Sequence, residues 1–278
     1  MSDGATPQDI ETQAHTERRL GLLILENKTG AALAAGVPHL RTAADLWAQA
    51  GWPTRRAEVL LDLGRLHGKS GNHADAAAAW EEALGIFRGA GDQRHAIDAA
   101  SGAGLARLAA GDAAVARAHL QQAADIASDI NDHLRMAQTQ LDLAQAQLAA
   151  KEPAAAIAAC EKALKIFTAF RKGPQRAMCH ERIAAGYAQS GDFAAAAAAF
   201  EAAVTISTEL ARPMEATETL WAFADMERDR GALDAAIAIH RRCLATHTQN
   251  DNKAMRARCL RRLGMVQAKQ GDHVAAIA

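Results

Sequence analysis

The stretch SGDFAAAAAAFEAAV, residues 190–204, decides the fold, because variants of it recur along the chain at a fixed distance. The related tetrads follow one another every 40 residues, with no insertion between copies. They are SGNH at 70, AGDA at 110, AKEP at 150, SGDF at 190, RGAL at 230 and QGDH at 270. A weaker copy, TGAALAAG at 29–36, precedes them and counts as the first, so that SGNH belongs to the second copy. A period of this length is typical of proteins built from stacked structural repeats.

The alanines of this stretch are of two kinds. When the copies are aligned, one position, or column, of the repeat holds alanine in all six copies that carry a tetrad. These alanines are Ala76, Ala116, Ala156, Ala196, Ala236 and Ala276. We therefore expect Ala196 to be fixed by close approach of helices, so that a bulky residue there is costly. In other copies of the repeat, positions at or near those of Ala195, Ala198 and Ala199 hold charged or polar residues, which predicts that these three alanines are free to vary.

Each repeat is predicted to form two helices. In the second copy Leu60, Leu63 and Leu66 recur at helical spacing over residues 56–69, and a second helix follows over residues 74–88. The glycine between them suits the left-handed end of a helix, and the Asn or Asp that usually follows suits an N-cap. We expect an all-α solenoid of tandem antiparallel helix pairs. Residues 1–13 are predicted to be a flexible segment and 14–278 a single domain whose last unit is incomplete.

Composition excludes several classes of protein. The chain has 278 residues, 50% of them apolar, and a formal net charge of −1, which favours a packed core and disfavours nucleic acid as a partner. Its polar, acidic start lacks the features of a signal peptide, and its most apolar short run, at residues 20–26, is too short to cross a membrane. Four cysteines do not suggest a disulfide framework. These features favour a cytoplasmic protein.

The repeat columns resemble the tetratricopeptide repeat, over about residues 14–278. The second copy supplies Leu60, Leu63, Gly64, His67, Ala76, Trp80 and Ala83 at the positions of that family's signature. The fifth supplies His180, Ile183, Ala184, Tyr187, Ala196, Phe200 and Ala203. The family's terminal proline is absent and the period is 40 rather than 34, which resembles the longer variant of kinesin light chains and many bacterial regulators.

This resemblance implies a right-handed α-solenoid of about six to seven units that binds a partner peptide or helix in a concave groove lined by the first helices. It implies no catalysis, and the sequence contains no phosphate-binding loop, HExxH or CxxC motif that would nominate an enzyme or a cofactor. The favoured interpretation of the protein's function is a scaffold or adaptor. The alternative is a regulatory module that senses a peptide or ligand and controls an effector domain or a partner.

Helical spacing predicts which side chains line the groove. The candidates are Leu141, Gln145, Arg182, Trp221, Asp225, Arg258, Arg261, Arg262 and Met265. Acidic residues such as Glu58 and Asp98 lie toward the N-terminal end of this surface and arginines toward the other. We expect a partner with an apolar anchor near Trp221 and acidic residues toward Arg261. The alternative is an ordinary solvated face with Trp221 buried between units.

Two further features of the C-terminal region allow more than one interpretation. His240, Cys243 and His247 share one helical face, and Cys259 could pack back across the turn, so the four could form a zinc site. Packing as core residues is the favoured interpretation, with no metal bound. The final segment GDHVAAIA enters a second helix without a polar cap, which predicts either a longer protein or self-association through Ile277 and its neighbours.

Overall fold

The structure is a computed structural model and describes residues 6–249 and 252–271. These residues form 13 α-helices and one 3₁₀-helix, and they contain no β-strand. The helices fall into two compact units, α1–α7 up to Ala150 and α8–α13 from Lys151. In the described part, no helix is both long and apolar enough to cross a membrane.

The first unit contains seven α-helices. They are α1 (Pro7–Asn27), a 3₁₀ turn (Gly30–Ala35), α2 (Gly36–Gln49), α3 (Pro53–Lys69), α4 (His73–Gly89), α5 (Gln93–Ala109), α6 (Ala113–Asp129) and α7 (His133–Ala149). Helix α1 starts at Pro7 because Thr6 and Asp9 form a capping box, so residues 7–13 are helical where the sequence predicts a flexible segment. Helix α2 begins only at Gly36, so that Pro38 lies in its first turn, where a proline is tolerated because the missing N–H would have no intrahelical partner.

The second unit contains six helices. They are α8 (Pro153–Ala169), α9 (Gly173–Gln189), α10 (Phe193–Glu209), α11 (Pro213–Asp229), α12 (Leu233–Gln249) and α13 (Lys253–Gln270). Within each unit every helix packs against the next, as tandem antiparallel pairs require. The all-α solenoid prediction is confirmed. The single-domain boundary at 14–278 stays a prediction, and the uncapped end at Ile277 lies outside the described residues.

One turn geometry generates the repeat. Gly191 takes a φ of 81°, and Asp192 then caps α10 by accepting a hydrogen bond of 3.0 Å from the amide of Ala195. The turn that contains Gly191 recurs once in every repeat. The turns that lie halfway between its copies also contain a residue with a positive φ, at Gly51, Gly91, Asn131, Arg171 and Ala211. The helices from α3 to α12 therefore have one common length and begin at a constant interval of half a repeat. They are longer than the sequence predicts, since α3 covers Pro53–Lys69 and α4 covers His73–Gly89.

The alanine column lies where adjacent helices meet. Ala76, Ala116, Ala156, Ala196 and Ala236 are all fully buried, as the sequence predicts, and Ala276 lies outside the described residues. Ala198 is exposed, but Ala199 is buried, so the prediction that Ala199 is free to vary is wrong. Its column is buried at Ala79, Ala159 and Ile239 as well, which indicates a second line of contact between helices.

Enlarging Ala196 should destabilise the fold far more than enlarging Ala198. We expect Ala196→Leu to lower the free energy of unfolding by about 2 kcal/mol, because the added carbons have no space between the helices. Ala198→Leu should change it by less than about 0.5 kcal/mol, because that side chain is exposed to solvent. Urea unfolding followed by circular dichroism measures both, and equal effects would contradict the packing assigned to this column.

Candidate functional site

Trp221, Asp225 and Arg262 form one connected group on α11 and α13 in the second unit. The Arg262 guanidinium lies over the Trp221 ring, 4.5 Å from its centroid. Arg262 Nη1 also lies 3.2 Å from Asp225 Oδ2. Arg228 Nη1 donates to the other oxygen of Asp225 at 2.6 Å. Arg228 also pairs with Asp229 at 2.9 Å, so the charges of the two guanidiniums are balanced by two carboxylates.

A small cavity opens beside this group, between α11, α12 and α13. It has a volume of about 240 Å³ and is lined by Arg228, His240, Arg261, Arg262, Met265 and Val266, and we call it the arginine pocket. Three guanidiniums face it. Arg228 and Arg262 pair with Asp225, and Arg228 pairs with Asp229 as well, whereas Arg261 makes no ion pair among the described residues. A pocket with this charge and with apolar walls suits a carboxylate that carries an apolar neighbour.

His240 forms the buried floor of the arginine pocket. Burial lowers the pKa of its imidazole, and the nearby Arg262 lowers it further, so the ring is neutral at physiological pH. Its Nδ1 is buried and has no hydrogen-bond partner among the described residues. The imidazole therefore brings no repelling or attracting charge and leaves one polar atom available to a ligand.

The rim of the arginine pocket is exposed and basic. Helix α13 carries six basic residues, Lys253, Arg256, Arg258, Arg261, Arg262 and Lys269, and no acidic one. Within the described residues, Arg258 and Arg261 make no ion pair. Met265 is 63% exposed, so an apolar side chain stands among these cations without cover. Such a rim favours acidic partners.

The other predicted groove residues are not part of this group. Leu141 is fully buried in the core of the first unit, so its side chain offers no open surface and we leave it out of the candidate site. Gln145 is exposed on α7 of that unit. Arg182 is half-buried on α9 and does not line the arginine pocket.

The acidic residues near the N-terminal end are paired with arginines. Arg18 binds Glu58 at 2.7 Å and Asp62 at 2.8 Å, and Asp62 itself is buried. Asp98 lies 2.5 Å from Arg135 Nη1. The charge gradient that the sequence suggests is therefore largely neutralised in the first unit, because cations from neighbouring helices satisfy these carboxylates.

Arg228 is not among the groove residues predicted from the sequence, and His240 was considered as a metal ligand, with core packing as the favoured interpretation. In the repeat column of Arg228, Gly68, Leu108, Leu148, Ala188 and Ala268 are uncharged, and Lys28 is the other charged member. His240 likewise stands where other copies have Leu40, Trp80, Leu120, Cys160 and Phe200.

The four candidate metal ligands do not come together. Among residues 6–249 and 252–271, no three His, Cys, Asp or Glu side chains are placed to hold a metal ion. His247 Nε2 instead lies 2.7 Å from Thr217 Oγ1. Burial raises the pKa of the Cys243 thiol to about 12, and the neighbouring Cys259 contributes to this shift.

His247 should make the stability of the protein depend on pH. Burial lowers the pKa of its imidazole below the ordinary value of 6.5. As the pH falls through 6.5, the unfolded chain binds a proton that the folded chain does not, so the free energy of unfolding decreases. His247→Phe, which restores the aromatic residue of Phe87 and Phe167 in this column, should reduce that slope by up to about 1.4 kcal/mol per pH unit.

This prediction is measured by urea unfolding of both proteins at several pH values below neutrality. His39→Phe is the matched control, since that histidine is partly exposed, with its Nδ1 at 2.6 Å from Glu17 Oε2. An unchanged slope in His247→Phe would show that this imidazole is protonated in the folded chain.

Comparisons with known proteins agree with this fold. Residues 95–169 match the model of the tetratricopeptide repeat family. No curated protein matches the sequence. Among solved structures, the apo form of RapI aligns with a TM-score of 0.71 at 13% identity, over 95% of this chain and 93% of RapI.

Two further solved structures show the same architecture. The Rap conjugation gene regulator of plasmid pLS20, in complex with the Phr* peptide, aligns over all of this chain (100%) and 80% of its own at a TM-score of 0.55 and 11% identity. Nearly identical TPR-like repeats of a putative kinesin light chain from Podospora anserina align with a TM-score of 0.59 and 19% identity, over 75% of this chain and 100% of theirs. At such identities the likeness shows the fold alone. The match of residues 95–169 and the shared fold support the predicted tetratricopeptide-repeat architecture, with a repeat period longer than the family's usual one.

Proposed function

We propose that this protein is a binding module for a peptide segment that carries an apolar side chain next to an acidic one. The acidic side chain enters the arginine pocket and the apolar one contacts Trp221 and Met265. The observation that carries the proposal is the Trp221–Arg262–Asp225 group beside Arg261, a guanidinium that makes no ion pair among the described residues.

The chemistry of this group favours a peptide over a simple surface charge. Arginine binds carboxylates in a planar, bidentate geometry, and the pocket walls exclude part of the competing water. A half-buried tryptophan offers a large, rigid contact area, which is why tryptophan and arginine are enriched among residues that dominate binding energy. The pLS20 Rap regulator, which shares the fold, was solved in complex with a peptide, and this supports a peptide as the partner class.

The proposal also covers compartment and mechanism. All four cysteines are buried free thiols, which is typical of a reducing compartment, and we place the protein in the cytoplasm. We assign it no catalytic activity and no cofactor, and propose that it acts by presenting a binding surface. A regulatory sensor differs from a scaffold in one respect: its hydrodynamic radius should change when the peptide is added, which size-exclusion chromatography measures.

A displayed library of random peptides tests the proposal without knowledge of the natural partner. Selection on the wild-type chain should enrich sequences that contain Asp or Glu within a few residues of a large apolar side chain. Selection on Trp221→Ala should lose this enrichment. If the two selections give the same sequences, or if the wild type enriches none, the peptide site is not at Trp221.

A further inference from the structure

A second, larger cavity lies in the same unit on the side of α10 and α12. It has a volume of about 590 Å³ and opens between the C-terminal half of α10, the start of α11 and the C-terminal half of α12, and we call it the α10–α12 pocket. More of its lining is apolar than polar, and the size is within the range of small-molecule sites. It shares no lining residue with the arginine pocket.

The repeat register explains why this cavity is wide. Two of its lining residues, Ala216 and Thr246, occupy columns that elsewhere hold mostly larger side chains. The column of Ala216 holds Arg56, Ala96, Met136 and Arg176, and that of Thr246 holds Leu46, Ile86, Ile126, Ile166 and Ile206. Over these copies, only the pair Ala216 and Thr246 is short in both columns, so the helices leave a space that larger side chains occupy in the other copies.

A crevice in the first unit, of about 270 Å³, is lined by the counterparts of four residues of the α10–α12 pocket, Ala44, Arg56, Leu60 and Glu82, and an ion pair crosses it. There Arg56, the counterpart of Ala216, binds Glu82, the counterpart of Arg242. In the second unit the arginine is replaced by alanine and the glutamate by Arg242. The crossing pair is thus absent from the α10–α12 pocket, and a guanidinium faces the widened space.

The floor of the α10–α12 pocket is neutral and internally satisfied. Thr217 Oγ1 lies 2.7 Å from His247 Nε2 and donates to the carbonyl of Pro213, also at 2.7 Å. Thr217 and His247 are both buried. A floor whose polar atoms already have partners suits an uncharged, apolar body rather than a charged group.

The mouth of the pocket carries two arginines. Arg212 pairs with Glu215 at 2.5 Å, and Arg242 pairs with both oxygens of Glu201 at 2.7 and 2.9 Å. Neither glutamate lines the pocket, and all four side chains of these pairs are nearly half exposed. Because such surface ion pairs are weak, either guanidinium can bind a carboxylate at the mouth while keeping or exchanging its glutamate.

We propose that the α10–α12 pocket binds a carboxylate attached to a compact apolar group, with the apolar group on the Thr217–His247 floor and the carboxylate between Arg212 and Arg242. Two sources share this chemistry, a free aryl or branched alkanoic acid and the C-terminal residue of a peptide. The site is independent of the peptide surface proposed above.

Isothermal titration calorimetry with 4-phenylbutyrate and with its uncharged amide tests the site. The acid should bind with a Kd of about 1 mM or below, and the amide at least about tenfold more weakly. A peptide ending in phenylalanine with a free carboxylate, compared with its amidated form, distinguishes the two sources. Binding of the free acid alone assigns a small molecule, and binding of both acids assigns a peptide terminus.

Matched variants place the ligand in this pocket. Ala216→Met with Thr246→Ile introduces residues that the same columns already hold at Met136 and Ile206, so the fold should be retained and binding lost. Arg242→Gln should weaken the acid about tenfold, whereas Arg241→Gln, on the exposed neighbour, and Arg261→Glu, at the arginine pocket, should not. No saturable binding of either acid, or binding that survives the filled pocket, would overturn the proposal.

Discussion

Replacing Phe87 with alanine is expected to lower the free energy of unfolding by about 4 kcal/mol, a large share of the stability of a typical domain. The ring is fully buried in the core of the first unit and stacks on His95 with 5.0 Å between ring centroids. Removing it deletes a large apolar contact and leaves a cavity between helices that cannot fully collapse. Urea unfolding of the two proteins measures the difference.

Phe170 provides the matched control, because it is the same residue type, at the C-terminal end of α8, but is 48% exposed. Phe170→Ala should change the free energy of unfolding by less than about 0.5 kcal/mol. If Phe87→Ala were as mild as Phe170→Ala, the core of the first unit would not be packed as described.

The second large effect is expected at Arg261. For a peptide selected for an acidic and an apolar side chain, Arg261→Glu should weaken binding by about 100-fold. The new carboxylate would face the peptide's own acidic group inside the arginine pocket, where Arg228 and Arg262 already share Asp225. Fluorescence anisotropy of a labelled peptide measures the change.

Arg241→Glu separates the local effect from the change in net charge. Arg241 is exposed on α12 and does not line the arginine pocket, yet its reversal alters the charge of the chain equally. We expect a loss of no more than about threefold. Equal losses in the two variants would mean that the peptide responds to overall charge and not to the pocket.

The repeat and its first turn were predictable because they rest on local chemistry. Gly191 takes the left-handed conformation that glycine favours, and Asp192 caps the next helix, both as the sequence indicates. The other turn was harder, because Arg171 and Ala211 adopt the same left-handed conformation without being glycine. Packing of the flanking helices outweighs the local preference there, and so the even, half-repeat spacing of the helices was not predicted.

The candidate site was predictable only in part. Trp221 and Asp225 share a face of α11 by helical spacing, and the structure brings Arg262 of α13 into contact with both. Leu141 occupies the same repeat column as Trp221, but the Leu141 side chain is wholly buried. Helical spacing alone cannot distinguish a buried member of a column from a more exposed one. The α10–α12 pocket depends on two short side chains on different helices, and their coincidence becomes visible only when those helices are placed together.

Photo-cross-linking tests the central claim most directly. A selected peptide would carry a photoreactive phenylalanine analogue at its apolar position, and the cross-linked residues would be mapped by mass spectrometry. The proposed geometry predicts adducts on α11 and α13, at Trp221 and Met265 or their immediate neighbours, with competition by the unlabelled peptide. Competable adducts confined to α1–α7 would contradict it, because the binding surface would then lie in the other unit.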